Sequence, residues 1–245
     1  MITEHHKLLL SQIIIHLIGI FGLYYFWNVS WLWLTLLGII LFGGYGIEGY
    51  CHRYLSHKSF SVSNNVEKFL NLCGVFALQS SPMVWAANHV THHQHSDKDG
   101  DPHPAKDSWR TWFWIGTEKK SRINLHVIKR LSRNKLHRTT KKYYFKIYWS
   151  TILVSLLINP MITIYFFAIP VIYVFHSSSL TNVVSHLYGY KNFETGDNST
   201  NLPLPFVLGS PYHNNHHHNP SSYDNAVKWY EFDHIKYMID IVRKK

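Results

Sequence analysis

Apolar residues in this chain come in long blocks and not in strand-like alternation. Leu8 to Phe26 is almost uninterrupted, with His16 in its middle. It approaches the ~20 residues that cross the hydrocarbon core of a bilayer. Asn28 and Ser30 mark an uncharged turn, and Trp31 to about Tyr50 forms a second block. Its glycines, Gly38, Gly43, Gly44 and Gly46, allow helices to pack closely. The two blocks predict a helical hairpin whose second helix ends at Glu48. Ile147 to Ile158 and Met161 to Phe175 form a second hairpin around Asn159-Pro160. Between the hairpins, Val66 to Trp85 is apolar only from Phe69 to Leu78, is broken by Asn71 and is flanked by polar residues. That is too short to span and suits an interfacial or re-entrant helix. The pattern predicts an all-α membrane protein: four transmembrane helices in two hairpins, one domain over residues 1–245, with a histidine-rich helical cap.

Charge orients this arrangement. Charged residues are 16% of the chain and aromatics also 16%, a balance poor in charge for a soluble protein. The net charge of +10 is concentrated between Gly116 and Lys146. Lysine and arginine near membrane spans favour the cytoplasmic side. Both termini, the basic stretch and the histidine-rich segments then fall inside, so the active site of this multi-pass protein is expected to be cytoplasmic. Nucleic acid is set aside as a partner, because the basic stretch lies between spans. The same cations suit an acidic headgroup or a phosphorylated carrier. Cys51 and Cys73 form no C-x-x-C pair and read as small buried residues. The first apolar block lacks a small-residue cleavage site after it and reads as a retained span.

The chemistry lies in the histidines. His89-Val90-Thr91-His92-His93 reads H-x-x-H-H, so on a helix its three imidazoles leave one face. The pattern returns at His213-Asn214-Asn215-His216-His217, and His52 and His57 form an H-x-x-x-x-H box. A five-residue step turns about 140° on an ideal helix. Either the helix ends between His52 and His57, or they serve two metals. His186, at the inner end of the fourth span, joins the candidates, and His176 stands close by. His95 and His103 read as lying outside the ligand set. Asp97 and Asp101 suit carboxylates that hold the second N–H of a ligating histidine. Asn182, one turn before His186, is placed to hold a metal-bound water. Arg53 should face a carboxylate or a phosphate. Imidazoles with almost no thiolate or carboxylate suit iron or zinc, and eight or more are enough for two ions. Two oxygen-activating irons at the inner ends of membrane helices point to oxidation of a lipid chain.

These boxes resemble those of the membrane fatty acyl-CoA desaturase family, the stearoyl-CoA or delta-9 desaturase type. The family's pattern is H-x-x-x-x-H, H-x-x-H-H and H-x-x-H-H. Its N-S-x-x-H-x-x-G-like stretch resembles Asn182 to Gly189, its D-P-H matches Asp101-Pro102-His103, and its W-W-E-F-D tail resembles Trp229 to Asp233. The resemblance runs from about residue 30 to residue 235. It implies a di-iron centre of two Fe2+ on His52, His57, His89, His92, His93, His186, His213, His216 and His217, with Asn182 acting through water. It implies a bent tunnel placing the C9–C10 bond of a long acyl chain at the irons, with Gln79 and Trp85 at the bend. The chain would ride on coenzyme A or another acyl carrier, and O2 with two outside electrons would yield a cis double bond. No haem-binding H-P-G-G segment is fused, so the electrons would come from an external b-type cytochrome, or from ferredoxin with its reductase. The membrane would be the inner membrane of a bacterium or the endoplasmic reticulum of a eukaryote. One departure stands out: the family's G-E-G before the last box is here Gly209-Ser210-Pro211. The same boxes also suit a di-iron lipid hydroxylase or alkane monooxygenase, and a metal carrier or sensor without turnover competes from another class.

Overall fold

The computed structural model describes residues 3–115, 123–204 and 210–244. Lys119, Lys120 and Arg122 of the basic stretch, and Gly209 before the last box, lie outside the described residues. Among the described residues the chain is helical, with isolated bridges at Tyr190–Asn201 and Asn201–Tyr212 in place of any sheet.

α1 (Glu4–Phe26) starts at Thr3, whose hydroxyl accepts from the backbone N–H of His6. α2 (Val29–Ser56) opens with a 3-10 turn capped by Asn28 and runs as a continuous helix to Ser56. The expected end at Glu48 is therefore corrected. From Ile40 onward the helix takes the wider π geometry, and this carries it through the first histidine box. α3 (Asn64–Phe76) and α4 (Pro82–His95) occupy the ambiguous region. Leu78 and Ser80, both at positive φ, break the chain between them, and Pro82 starts α4 at the position where proline fits a helix. Two helices of 13 and 14 residues replace any single crossing.

Short α5 (Ser108–Trp112) and α6 (Leu125–Leu131) lead to α7 (Lys135–Ile158). α8 (Pro160–Val184) follows after Asn159, whose side chain accepts from Met161 N and turns the chain. α9 (His213–His218) and α10 (His234–Val242) complete the cap. α1, α2 and α8 are long and apolar enough to cross a membrane. α7 reaches 24 residues, but only its second half, from Ile147, is apolar. It pairs with α8 across the uncharged turn as the second hairpin requires.

The spans are turned inside out relative to a soluble bundle. α1 buries Ser11, Gln12, Gly19 and Gly22 and exposes Leu10, Ile13, Leu17 and Ile20. A Cβ at Gly19 would lie 2.4 Å from Ile172 Cδ1, so a small residue lets α1 close on α8. The contact that matters most for the cap is between α2 and α3. A Cβ at Gly46 would lie 2.6 Å from the Cys73 carbonyl oxygen and 2.9 Å from Gly74 N. Backbone cannot yield as a side chain does, so α3 would have to move away from the helix that carries His52. Gly46→Ala should therefore cost about 1–3 kcal/mol, typical of overpacking. A lower thermal unfolding midpoint in detergent is the expected readout, and an unchanged midpoint would contradict this packing.

Candidate metal centre

The nine sequence-derived candidates converge on two adjacent groups. His52, His57, His89, His93 and His216 form one, and His92, His186, His213 and His217 the other. Within each group one ring nitrogen per residue lies within 4.8 Å of all the others. The helix register explains the split. In box two the i, i+4 pair His89 and His93 enters the first group, while His92 between them enters the second. In box three the i, i+4 pair His213 and His217 enters the second group, while His216 enters the first. Each of these two boxes shares one helix face, as expected, but straddles both groups.

Box one departs from the ideal-helix expectation. His57 N–H donates to His52 O at 3.3 Å, an i→i−5 bond. In π geometry residues five apart stand nearly above one another, and such turns concentrate at functional sites. His52 and His57 therefore meet in one group, with ring centroids 5.2 Å apart. Neither alternative raised by the sequence, a helix end between them or service to two metals, is what the fold adopts.

Carboxylates set the tautomers. His92 Nδ1 donates to Asp101 Oδ1 at 2.9 Å, His186 Nδ1 to Asp97 Oδ2 at 3.0 Å, and His217 Nδ1 to Asp197 Oδ2 at 2.7 Å. In the first group, His52 Nδ1 donates to Glu48 Oε2 at 3.1 Å. An ionised carboxylate only accepts, so each of these imidazoles presents an N–H at Nδ1, and the neutral ring then has its lone pair on the inward Nε2. Among the described residues, the buried His92 Nε2 and His217 Nε2 have no hydrogen-bond partner. His52 Nε2 and His216 Nε2 approach to 2.8 Å, His57 and His89 to 2.9 Å, and His89 and His93 to 3.0 Å. So many buried inward nitrogens cannot all be paired donor to acceptor, as His92 Nε2 and His217 Nε2 show, and a cation among them would satisfy them. The donor set thus fits metal ions.

Charge points the same way. Burial, and then the neighbouring imidazoles, hold His57, His89, His93, His213 and His216 well below the ordinary histidine range. Burial brings His217 down to about 4 despite its bond to Asp197. These rings are neutral near pH 7, the state in which imidazole ligates. Burial alone would raise Asp101, but its bonds from His92 and from His103 N–H take it down to about 2. Asp97 and Asp197 are lowered against burial by His186 and His217 respectively.

The remaining candidates fall as follows. Arg53 is fully buried and forms a forked pair with Asp233 at 2.7 and 3.1 Å, so its partner is a carboxylate of the tail. His176 joins neither group. It accepts from Trp112 Nε1 at 3.0 Å and faces His16 Nε2 at 3.4 Å. Trp85 stacks on His89 at 5.0 Å, and its indole N–H donates to Gln79 Oε1 at 3.1 Å. Gln79 in turn donates to Val174 O and Ser178 Oγ, tying this corner to α8. Gln79, Trp85, His89, Trp114 and Asn182 line a cavity of about 80 Å³. It shares His5, Leu8, Ser80, Asn88 and His103 with a larger cavity of about 450 Å³ that reaches Lys141 and Phe145.

Sequence reasoning missed Glu48 and Asp197. Glu48 carried a signal, as the one acid inside a long apolar block. Asp197 carried none, because only the tertiary fold brings its loop to His217. It also missed the clamp on α9. This six-residue helix is too short to hold itself. Asn214 bonds to Asn192 N, Phe193 N, Phe193 O and Ser199 O. Asn215 donates to Asn225 O and Glu231 Oε2 and accepts from Asn192 and Asn201.

Comparison with known proteins agrees with this geometry. The family model for fatty acid desaturases matches residues 25–241. The chain is 31% identical over 214 residues to an sn-1 stearoyl-lipid 9-desaturase of Anabaena variabilis, covering 84% of this chain and 79% of that one. It is 30% identical to delta-9 acyl-lipid desaturase 1 of Arabidopsis thaliana, with 86% and 72% covered. It is 31% identical to icosanoyl-CoA 5-desaturase of Limnanthes douglasii, with 94% and 67% covered. The chain, with its three apolar helices and two histidine groups, belongs to the fatty acid desaturase family.

The histidines give a pH signature. Between about 6.5, the ordinary histidine value, and about 4, the value of His217, the unfolded chain binds more protons than the folded one. Stability therefore rises with pH across that window and is lost on acidification through it. The unfolding midpoint of chelator-treated protein should fall progressively from pH ~6.5 to ~4. A flat profile would contradict the burial of neutral imidazoles.

Proposed function

We propose that this protein is an O2-dependent acyl desaturase that inserts a cis double bond, at the C9–C10 position, into a long acyl chain. The reading is supported chiefly by one juxtaposition: Trp85 stacks on His89 of the first histidine group and lines a cavity that continues toward the protein surface. On this reading the nine histidines hold two Fe2+ ions, which supply the activation of O2 and the attack on an unactivated C–H bond. The overall balance takes a –CH2–CH2– unit, O2, two electrons and two protons to –CH=CH– and two waters.

The chain's own residues would bind, orient and exclude. Leu8, Val84, Ile123 and Phe145 give the larger cavity its apolar lining. Gln79 and Trp85, held by their mutual hydrogen bond, would turn the acyl chain beneath His89. Asp97, Asp101, Asp197 and Glu48 would keep the ligating imidazoles in the Nδ1–H tautomer. Asn182, at the cavity wall, would hold a water beside the second group. The acyl carrier would bear phosphate, as coenzyme A and glycerolipids both do, at the end of the cavity where Lys141 stands. Basic residues from Lys129 to Lys146 favour the cytoplasmic side for that opening. Electrons would come from an external one-electron carrier, a b-type cytochrome or a ferredoxin.

The test is a fatty-acid profile. In an aerobic host lacking its own desaturase, and supplied with a reductase system, expression should yield a new cis monoene, located by mass spectrometry at carbon 9. His92→Ala should abolish the product while the protein still inserts in the membrane. A hydroxylated product would favour the hydroxylase reading. Undiminished alkene from His92→Ala would sink the di-iron assignment.

A further inference from the structure

The last histidine box is preceded here by Gly209-Ser210-Pro211, where the resemblance leads one to expect a glutamate in place of Ser210. The fold supplies a carboxylate at the same spot from another element. Glu48 lies on α2, one helical turn before His52, and is buried. Its Oε2 accepts from Ser210 Oγ at 2.8 Å and from His52 Nδ1 at 3.1 Å. Ser210 Oγ itself stands 3.5 Å from His52 Nδ1. Two groups 162 residues apart, the Glu48 carboxylate and the Ser210 hydroxyl, thus meet on one ring nitrogen.

A carboxylate inside a long apolar helix is expensive and is kept only where it has a partner. The tail does not provide one, because the neighbouring cation, Arg53, is committed to Asp233. The partner of Glu48 is His52, a member of the first histidine group. The second group orients three of its four histidines with Asp97, Asp101 and Asp197. In the first group, His52–Glu48 is the one pair of this kind among the described residues.

We propose that Glu48 and Ser210 form one exchangeable unit. Glu48 is the positioning carboxylate of the first metal site, and it stands in for the glutamate absent at position 210. Either position can present the carboxylate to His52 Nδ1, provided the other is small. Two carboxylates there would repel each other in a buried space, and none would leave His52 unoriented. The unit rests on the histidines binding metal but not on desaturation.

The experiment is Zn2+ titration of chelator-stripped protein in detergent. Bound metal is counted by elemental analysis and affinity read by chelator competition. The parent should bind two ions. Glu48→Gln should lose affinity at one site by about 10–100-fold, the usual effect of removing a partner behind a ligand. The site built on His92, His186, His213 and His217 should remain. Ser210→Glu alone should also weaken the first site. The swap, Glu48→Ser with Ser210→Glu, should regain two ions, and the Co2+ absorption of both sites should return to the parent form. A purely structural role for Glu48 predicts no such return. The swap decides the matter even if a single variant fails to fold: two tight ions sustain the proposal, and one or none overturns it. Full affinity in Glu48→Gln would overturn it as well. A parent that binds two Zn2+ yet makes no alkene would defeat the desaturase reading and leave this inference standing.

Discussion

The structure depends on keeping nine imidazoles packed together and aimed inward. A neutral imidazole has one donor and one acceptor nitrogen, and a cluster of them cannot satisfy itself. Glu48, Asp97, Asp101 and Asp197 resolve this by accepting the Nδ1–H bonds of four rings, which leaves Nε2 facing inward and the carboxylate charge outside. Each carboxylate is anchored in turn. Asp97 also accepts from Asn198 N, Asp101 from Asp97 N and His103 N, and Asp197 from Ser199 N and Thr195 Oγ1. The loops around the boxes therefore have a positional duty, and their polar composition follows from it.

The helices meet the same demand by geometry. A straight α-helix would send His52 and His57 in different directions, and the π segment of α2 brings them together. The close approach at Gly46 holds α3 and α2 in register, and α4 packs on the same π segment. α9 is too short to be stable alone, and the paired side chains of Asn214 and Asn215 replace the turns it lacks.

Much of this was legible in the sequence, for identifiable reasons. Hydropathy blocks exposed the hairpins because lipid demands uninterrupted apolar length. Spacing exposed the six histidines of boxes two and three because i, i+3 and i+4 positions share a helix face, whereas the full set of nine followed from the resemblance of the motifs. Asp97 and Asp101 were legible because they follow box two closely. The end of α2 was misjudged because hydropathy records where apolar residues stop, whereas the backbone ladder continues through His52. The grouping within boxes two and three was hidden for a related reason. Spacing gives the face of a helix, but not which neighbour each side chain meets there. Asp197, Asn192 and Asn201 were invisible because their partners lie outside any helical spacing and are brought to them by the loop fold.

The straddling of α4 and α9 across both histidine groups has a thermodynamic consequence. Each of these helices lends its i, i+4 pair to one group and its intervening histidine to the other. Neither helix can rotate or slide to suit one occupant without moving a ligand of the other. Fixing the first site therefore restrains the second, and the ordering cost met by the first arrival need not be met again. Two metal ions held there would be linked, with equal and reciprocal effect on each other's affinity. On the metal-binding reading, weakening the first site would therefore lower the affinity of the second in step without emptying it.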